Sequence, residues 1–230
     1  TAVCYDRGYE RSLLTPSREA EKGPEMTNDS PRANPLQPSQ TEGVEADYRV
    51  VLDDLAISRA LMRIAHEIIE RNDDLSDLYL VGVPNGGVPL ARQLAANLQE
   101  ITGLDAVVGI LDTTLYRDDL TGSGSRPPLR RPEMPSAVDD RVVILVDDVA
   151  STGRTIRAAM DALMDFGRPR AVQVVALVDR GHRELPIKID YVGKNIPTKR
   201  EELVKLRARN GSYQRPLEVV VMADGGRAEE

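Results

Sequence analysis

The first 46 residues lack any periodic arrangement of apolar positions, whereas the pattern from Tyr48 onward predicts alternating helices and strands. Prolines interrupt the first stretch at positions 16, 24, 31, 35 and 38. A polar segment of this kind buries too little apolar surface to offset the entropy lost on ordering. We therefore predict a disordered tail over residues 1–46. Because Met26 resembles a natural start, we expect residues 1–25 to be non-native.

Two stretches with apolar residues at helical spacing follow the tail. Isoleucine or leucine recurs at positions 57, 61, 64 and 68, and Asp53 or Asp54 is placed to cap this helix. A second helical pattern runs from Leu90 to Leu98 and stops at Gly103. Short apolar runs at residues 77–83 and 106–111 predict strands.

The second half of the chain contains longer runs of β-branched residues. Residues 141–146 and 171–178 are typical of strands buried on both faces, and the helix between them should stop at Gly167. Residues 203–206 and 217–222 flank Asn210-Gly211 and predict a late hairpin. Strands that alternate with helices imply an α/β fold with a doubly wound parallel sheet.

Composition excludes several classes of protein. A single cysteine, Cys4, excludes a disulfide framework or a Cys-based zinc site, and it suits the reducing cytoplasm. Apolar runs such as residues 142–146 are far shorter than the roughly 18 residues of a membrane helix, so we expect no membrane partner. The net charge of -7, taken over the whole chain, argues against nucleic acid as a partner.

Residues 143–155 carry the densest chemistry, reading Val-Ile-Leu-Val-Asp-Asp-Val-Ala-Ser-Thr-Gly-Arg-Thr. Ligands of open α/β sheets bind at the carboxyl ends of the strands. The amides and hydroxyls of the loop suit a phosphate, and Gly153 allows its close approach. The carboxylates of Asp147 and Asp148 suit a sugar diol, or Mg²⁺ held mostly through waters. The alternative is an ordinary Asp-rich turn with a threonine helix cap.

These thirteen residues resemble the phosphoribosyl-pyrophosphate (PRPP) motif of type I phosphoribosyltransferases, and a Walker loop is absent. The helix at residues 58–72 and three further stretches, residues 112–120, 178–186 and 191–198, resemble the PyrR family of pyrimidine-operon regulators and uracil phosphoribosyltransferases. The resemblance covers about residues 48–207. It implies a parallel sheet flanked by helices, in a domain over residues 47–216 with a small hood at 179–216. A C-terminal strand and tail follow at 217–230.

The resemblance implies that uracil and PRPP react to give UMP and pyrophosphate, with Mg²⁺ as cofactor. The implied catalytic residues are Asp147 and Asp148, which grip the ribose hydroxyls, and Arg117 and Asp118. The implied PRPP ligands are Asn85, Gly86, Gly87, Val149, Ala150, Ser151, Thr152, Gly153, Arg154 and Thr155. The implied uracil ligands are Val178, Asp179 and Arg180. Asp118 and Asp119 would reach Mg²⁺ through PRPP, within a mobile loop at residues 114–130 that closes over the site.

Three positions depart from the family's usual residues. Gly86 stands where an arginine is expected, so a bidentate phosphate donor is lost and the catalytic rate is affected. Ala150-Ser151 replaces Leu-Tyr, a mild change because other phosphoribosyltransferases have small residues there. Met62 replaces a threonine in the first helix and loses a hydroxyl.

The charge is unevenly distributed, which reopens the question of nucleic acid. Residues 167–210 have a local charge of +6, the kind of basic segment that binds RNA phosphates. The resemblance implies binding to pyrimidine-operon mRNA, favoured by UMP or UTP, and a homo-oligomer in which basic faces also bury against partner subunits. The candidate RNA-binding residues are Arg63, His182, Arg183, Lys188 and Lys194. The alternative function is an RNA-binding regulator whose PRPP site senses nucleotides with little catalysis.

Overall fold

We describe a computed structural model of the chain, in residues 48–84, 86–117, 131–208 and 216–223. Its strands are β1 (Tyr48–Leu52), β2 (Leu78–Gly82), β3 (Val107–Ile110), β4 (Val142–Ala150), β5 (Ala171–Asp179), β6 (Tyr191–Asn195), β7 (Glu202–Ala208) and β8 (Leu217–Ala223). Its α-helices are α1 (Asp54–Arg71), α2 (Gly87–Thr102) and α3 (Arg154–Leu163). The predicted tail at residues 1–46 lies outside the described residues.

The main sheet has the strand order β3-β2-β4-β5-β6, and every pair in it is parallel. Along β2 and β4 successive residues alternate between the two faces of this sheet. Leu80 and Ile144 belong to a core shared with α1 and α2, whereas Tyr79 and Leu145 belong to a core shared with α3. Helices therefore cover both faces, which confirms the predicted doubly wound α/β fold.

The helix boundaries follow local sequence chemistry. The Asp53 carboxylate accepts a hydrogen bond from the Ala56 amide at 2.8 Å, so Asp53 is the residue that caps α1. Gly103 ends α2 in the left-handed conformation with φ 74°, as its position in the pattern predicts. After α3 a short 3-10 turn, Met164–Phe166, carries the chain to Gly167.

Strand β4 is longer than the apolar pattern predicts, because its pairing continues past the last aliphatic residue. We placed the end of this strand at Val146, yet the parallel register with β5 runs on to Ala150, opposite Asp179. The acidic pair therefore lies within β4, near its carboxyl end, rather than after the strand. Ladder hydrogen bonds thus fix the backbone of Asp147 and Asp148.

A second, antiparallel sheet has the order β1-β8-β7. Pairing of β7 with β8 confirms the late hairpin, while β1 is a strand that the pattern did not predict. Within the predicted hood at 179–216, β6 is a strand of the main sheet, and β7 pairs outside it with β8. No helix in the described residues has the length and apolar character needed to span a bilayer.

Candidate functional site

The candidate site lies at the carboxyl edge of the main sheet, where β2, β4 and β5 end. Three chain segments meet there: residues 84, 86 and 87 after β2, residues 147–155 around the end of β4, and residues 178–187 from the end of β5 onward. We call residues 150–155 the phosphate loop and residues 180–187 the clamp segment. Parallel strands bring these segments together because all their carboxyl ends lie at one edge.

The acidic pair is held rigidly and largely out of water. The Asp148 amide donates to Asp147 Oδ1 at 3.0 Å, and the Val149 amide donates to Asp148 Oδ1 at 2.9 Å. Burial, followed by the neighbouring charge of Asp148, raises the pKa of Asp147 well above its usual range. Burial also raises the pKa of Asp148. A buried pair of carboxyl groups of this kind can bind the hydroxyls of a diol.

The phosphate loop leads directly from β4 into α3. Gly153 occupies the N-cap of α3 with φ 91°, a left-handed conformation that favours glycine. A Cβ at Gly153 would lie 3.1 Å from Ile187 Cγ1, so the close packing of the clamp segment also requires a glycine. The Thr152 hydroxyl accepts a hydrogen bond from the Arg154 amide at 3.3 Å. The start of α3 thus presents amides and hydroxyls at the sheet edge, as an anion site requires.

The segment after β2 packs tightly against the acidic pair. Within it, Asn85 lies outside the described residues. A Cβ at Gly87 would lie 3.3 Å from Asp147 Cα and closer still to the Val146 carbonyl. A Cβ at Gly86 would lie 2.7 Å from the Cβ of Asp148. The structure therefore brings Gly86 and Gly87 next to the carboxylates, as the resemblance implies.

Arg117 is the described cation that faces the acidic pair. Its charge opposes the rise in the pKa of Asp147. The residue follows a 3-10 turn, Thr114–Tyr116, and the Tyr116 carbonyl accepts a hydrogen bond from Arg157 Nη2 of α3 at 2.8 Å. Asp118, Asp119 and the remainder of the predicted mobile loop to residue 130 lie outside the described residues.

The predicted uracil residues end β5 beside the phosphate loop. Val178 is fully buried, and Asp179 and Arg180 are half-buried. The Arg180 amide donates to the Ala150 carbonyl at 3.0 Å, and its Nη2 donates to the Lys199 carbonyl at 2.8 Å. The end of β5 and the phosphate loop are therefore joined by a main-chain hydrogen bond.

The predicted RNA-binding residues make different local contacts. Arg63 of α1 donates to the carbonyls of Val192 and Gly193 at 3.0 and 2.8 Å, which places it next to Lys194. The Lys188 side chain is 81% exposed, and Nζ lies 4.0 Å from Asp190. His182 Nε2 lies 2.8 Å from the Thr198 carbonyl oxygen.

Arg183 differs from the other predicted RNA-binding residues because its guanidinium is directed into the molecule. Nη2 pairs with Asp179 Oδ2 at 2.6 Å, and Nη1 donates to Asp179 Oδ1 at 3.0 Å. Nη1 also donates to the Ser151 carbonyl at 2.6 Å, and Nε donates to the Ile187 carbonyl at 3.1 Å.

The contacts between the clamp segment and the phosphate loop are the part of the site that the sequence pattern did not reveal. The amides of Glu184 and Leu185 donate to the Thr152 carbonyl at 3.0 and 3.1 Å, and Glu184 pairs with Arg154 at 2.8 Å. The two amide contacts join positions about thirty residues apart through backbone atoms, which leave no trace in side-chain type. Gly153 is the one residue in the sequence that signals this packing, since a glycine there indicates that another group approaches the backbone closely.

Comparison with known proteins places this chain among related sequences. Residues 47–207 match the phosphoribosyl transferase domain family. The bifunctional protein PyrR of Alkaliphilus metalliredigens is 56% identical over 68% of this chain and 86% of its own length. The bifunctional protein PyrR of Geobacter sulfurreducens is 51% identical over 76% of this chain and 98% of its own length.

Solved structures with the same fold are more distant in sequence. The hypoxanthine phosphoribosyltransferase of Trypanosoma cruzi superposes with a TM-score of 0.59 at 19% identity, over 78% of this chain and 93% of its own. A hypoxanthine phosphoribosyltransferase from Staphylococcus aureus gives a TM-score of 0.57 at 18% identity, over 77% and 93% of the two chains. These likenesses support the predicted type I phosphoribosyltransferase fold.

Proposed function

The chain belongs to the PyrR family of phosphoribosyltransferases, and from this membership we propose a bifunctional protein. It is a uracil phosphoribosyltransferase, which converts uracil and PRPP to UMP and pyrophosphate. It is also a regulator of pyrimidine biosynthesis genes that binds mRNA in response to UMP or UTP. The observation that carries the proposal is the identity of 51–56% with proteins named as bifunctional PyrR, across the whole folded domain.

The reaction breaks the bond between ribose C1 and pyrophosphate, and forms a bond between C1 and N1 of uracil, which loses its proton. Positive charge develops on the ribose and negative charge on the leaving group. Asp147 and Asp148 would hold the ribose hydroxyls beneath this centre. Backbone amides donate hydrogen bonds to both carboxylates, which suits them to orient the ring without moving during the reaction.

The phosphate loop would bind the 5′-phosphate of PRPP. Its amides at the N-terminus of α3, together with the hydroxyls of Ser151, Thr152 and Thr155, supply neutral donors for an anion. Gly86 and Gly87 would bind pyrophosphate through the main chain, and Arg117 adds a positive charge near it. Val178, Asp179 and Arg180 would read the edge of uracil.

The carboxylates at the site fit a magnesium ion that is bound together with PRPP. The described residues contain no group of three or more metal-ligating side chains, so a complete protein cage for the ion is not built there. Two adjacent carboxylates with substrate phosphates are the set that Mg²⁺ commonly uses. When bound, the ion would neutralise the charge on pyrophosphate. Asp118 and Asp119 stay predicted ligands.

The exposed basic residues support the regulatory half of the proposal. Arg63 lies next to Lys194 of β6, and the side chain of Lys188 is 81% exposed. RNA phosphates would approach such groups readily. We further propose that the protein is cytoplasmic and that it forms a homo-oligomer. The large side chains of Leu55 and Val50 are 57% and 44% accessible, which suits burial against another subunit.

The alternative of a regulator with little catalysis is not favoured, because the related proteins are named as bifunctional. The test is incubation of the protein with labelled uracil, PRPP and Mg²⁺, followed by separation of nucleotides. We expect UMP in the complete mixture, and none after chelation of the metal or in Asp148→Asn. The absence of UMP from the complete mixture would contradict the enzymatic half.

A further inference from the structure

We propose that Arg183 is a positioning residue of the PRPP site, which orients the phosphate loop and joins it to the uracil side. This inference rests on the proposed phosphoribosyltransferase function. Its basis is the guanidinium, which donates to the Ser151 carbonyl at 2.6 Å and binds both carboxylate oxygens of Asp179. One side chain thus connects the loop that faces the phosphate to the residue that faces the base.

The three carbonyls at the start of the phosphate loop are all tethered to the clamp segment. The Ala150 carbonyl accepts from the Arg180 amide, the Ser151 carbonyl accepts from Arg183, and the Thr152 carbonyl accepts from the Glu184 and Leu185 amides. Among these tethers in the described chain, only the central one is made by a side chain. It is therefore the one that a substitution can remove without altering the backbone.

Tethered carbonyls determine where the loop amides point. In a planar trans peptide the carbonyl and the amide N–H point in opposite directions. Holding the Ser151 carbonyl toward Arg183 therefore directs the Thr152 N–H away from the clamp segment, on the opposite side of the loop. That side is where a phosphate must bind if the loop amides are to donate to it.

The burial of Arg183 fits this role better than a direct contact with RNA. Its side chain is 24% exposed and that of Asp179 is 18% exposed, against 81% for Lys188. A partly buried, bidentate arginine–carboxylate pair fixes both partners more firmly than a surface pair does. An RNA phosphate would have to replace these internal hydrogen bonds to bind Arg183.

The test compares Arg183→Gln and Arg183→Lys with Arg170→Gln. Arg170 is a suitable control because it pairs with Asp77 at 3.1 Å at the amino edge of the sheet, away from the site. We measure KM for PRPP and for uracil, kcat, and the affinities for UMP and uridine, all below the unfolding temperature of each variant. In Arg183→Gln we expect KM for PRPP and the Kd of UMP to rise about tenfold.

The pattern of changes separates positioning from general weakening of the fold. Uridine lacks the 5′-phosphate, so its affinity should change less than that of UMP in Arg183→Gln. Arg183→Lys should recover part of the loss, because an ammonium still reaches one acceptor but cannot form the fork. Arg170→Gln should leave every one of these constants unchanged.

Unchanged PRPP and UMP constants in Arg183→Gln, with weakened RNA binding in a gel shift, would overturn the inference and make Arg183 an RNA contact. If the wild-type protein forms no UMP and binds no PRPP, the proposed function itself fails. Should Arg183→Gln not fold, amide hydrogen exchange of the wild-type protein decides the question. UMP should then protect residues 180–187 together with residues 150–154, and protection confined to residues 150–154 would contradict the role.

Discussion

The carboxylate of Asp148 lies against the Cα of Gly86, in the space that a side chain at position 86 would occupy. An ideal Cβ there would stand 2.7 Å from the Cβ of Asp148, closer than Cβ atoms approach in proteins. Gly86, which stands in place of the arginine usual in this family, therefore leaves free the space that the Asp148 side chain occupies.

Gly86→Ala should consequently lower kcat/KM for PRPP by about tenfold or more, because Asp148 has to move away from the ribose hydroxyls. Steady-state formation of UMP measures the effect. Gly103→Ala is the control, since Gly103 ends α2 with a positive φ and has open space around it. Gly103→Ala should lose stability yet keep its kcat/KM. An equal loss of kcat/KM in Gly103→Ala and Gly86→Ala would mean that the Gly86 contact is irrelevant to catalysis.

Asp147→Asn should stabilise the ligand-free protein at neutral pH. Burial raises the pKa of Asp147 above its ordinary value of 3.8, so the folded state binds a proton more tightly than the unfolded state does. The contribution of Asp147 to the free energy of unfolding is fully present below pH 3.8. It falls as the pH rises toward the pKa of the folded state, by about 1.4 kcal/mol for each unit by which the folded-state and unfolded-state pKa values differ.

Thermal unfolding of both proteins from pH 4 to pH 8 checks this prediction. The gain in Tm of Asp147→Asn should be largest at high pH and shrink toward pH 4, while UMP formation falls. Substitution of the exposed Asp73 by asparagine is the control for loss of a surface carboxylate. A wild-type protein that is more stable than Asp147→Asn at pH 8 would contradict the pKa assignment.

Lys188→Gln and Lys194→Gln should each weaken binding to the operon leader RNA. A lysine that contacts a phosphate releases a counterion, so each variant should reduce the slope of log K against log salt by about one. A gel shift at several salt concentrations provides the slope. Arg170→Gln at the amino edge of the sheet is the matched control, and equal slopes in all four proteins would exclude Lys188 and Lys194 as RNA contacts.

Tyr191→Phe should destabilise the protein by about 1 kcal/mol through loss of a buried hydrogen bond. The Tyr191 hydroxyl donates to Gln173 Oε1 at 2.8 Å and accepts from Asn72 Nδ2 at 3.3 Å, which joins β6 and β5 to the end of α1. Denaturant unfolding measures the change. Because this network lies away from the acidic pair, KM for PRPP should stay the same, and a raised KM would show that the network reaches the site.

Sequence reasoning found the features that side-chain type encodes. The apolar runs predicted the parallel strands, Asp53 and Gly103 marked helix ends, and the order Asp147-Asp148 before Gly153 indicated the ligand edge. It missed β1 because Tyr48–Leu52 is exposed over most of its length and has no apolar period. It did not reveal that the Arg183 guanidinium points inward, because a basic residue in a basic segment looks the same whether it faces solvent or a carbonyl.

The most direct test of the account offers the protein uracil and hypoxanthine in equal amounts with PRPP and Mg²⁺, and identifies the nucleotide products. Hypoxanthine is the base named for the solved proteins that share this fold, whereas uracil follows from the PyrR family. We predict UMP, with inosine monophosphate formed at least about a hundredfold more slowly. Preferential formation of inosine monophosphate, or the absence of both nucleotides, would contradict the assignment.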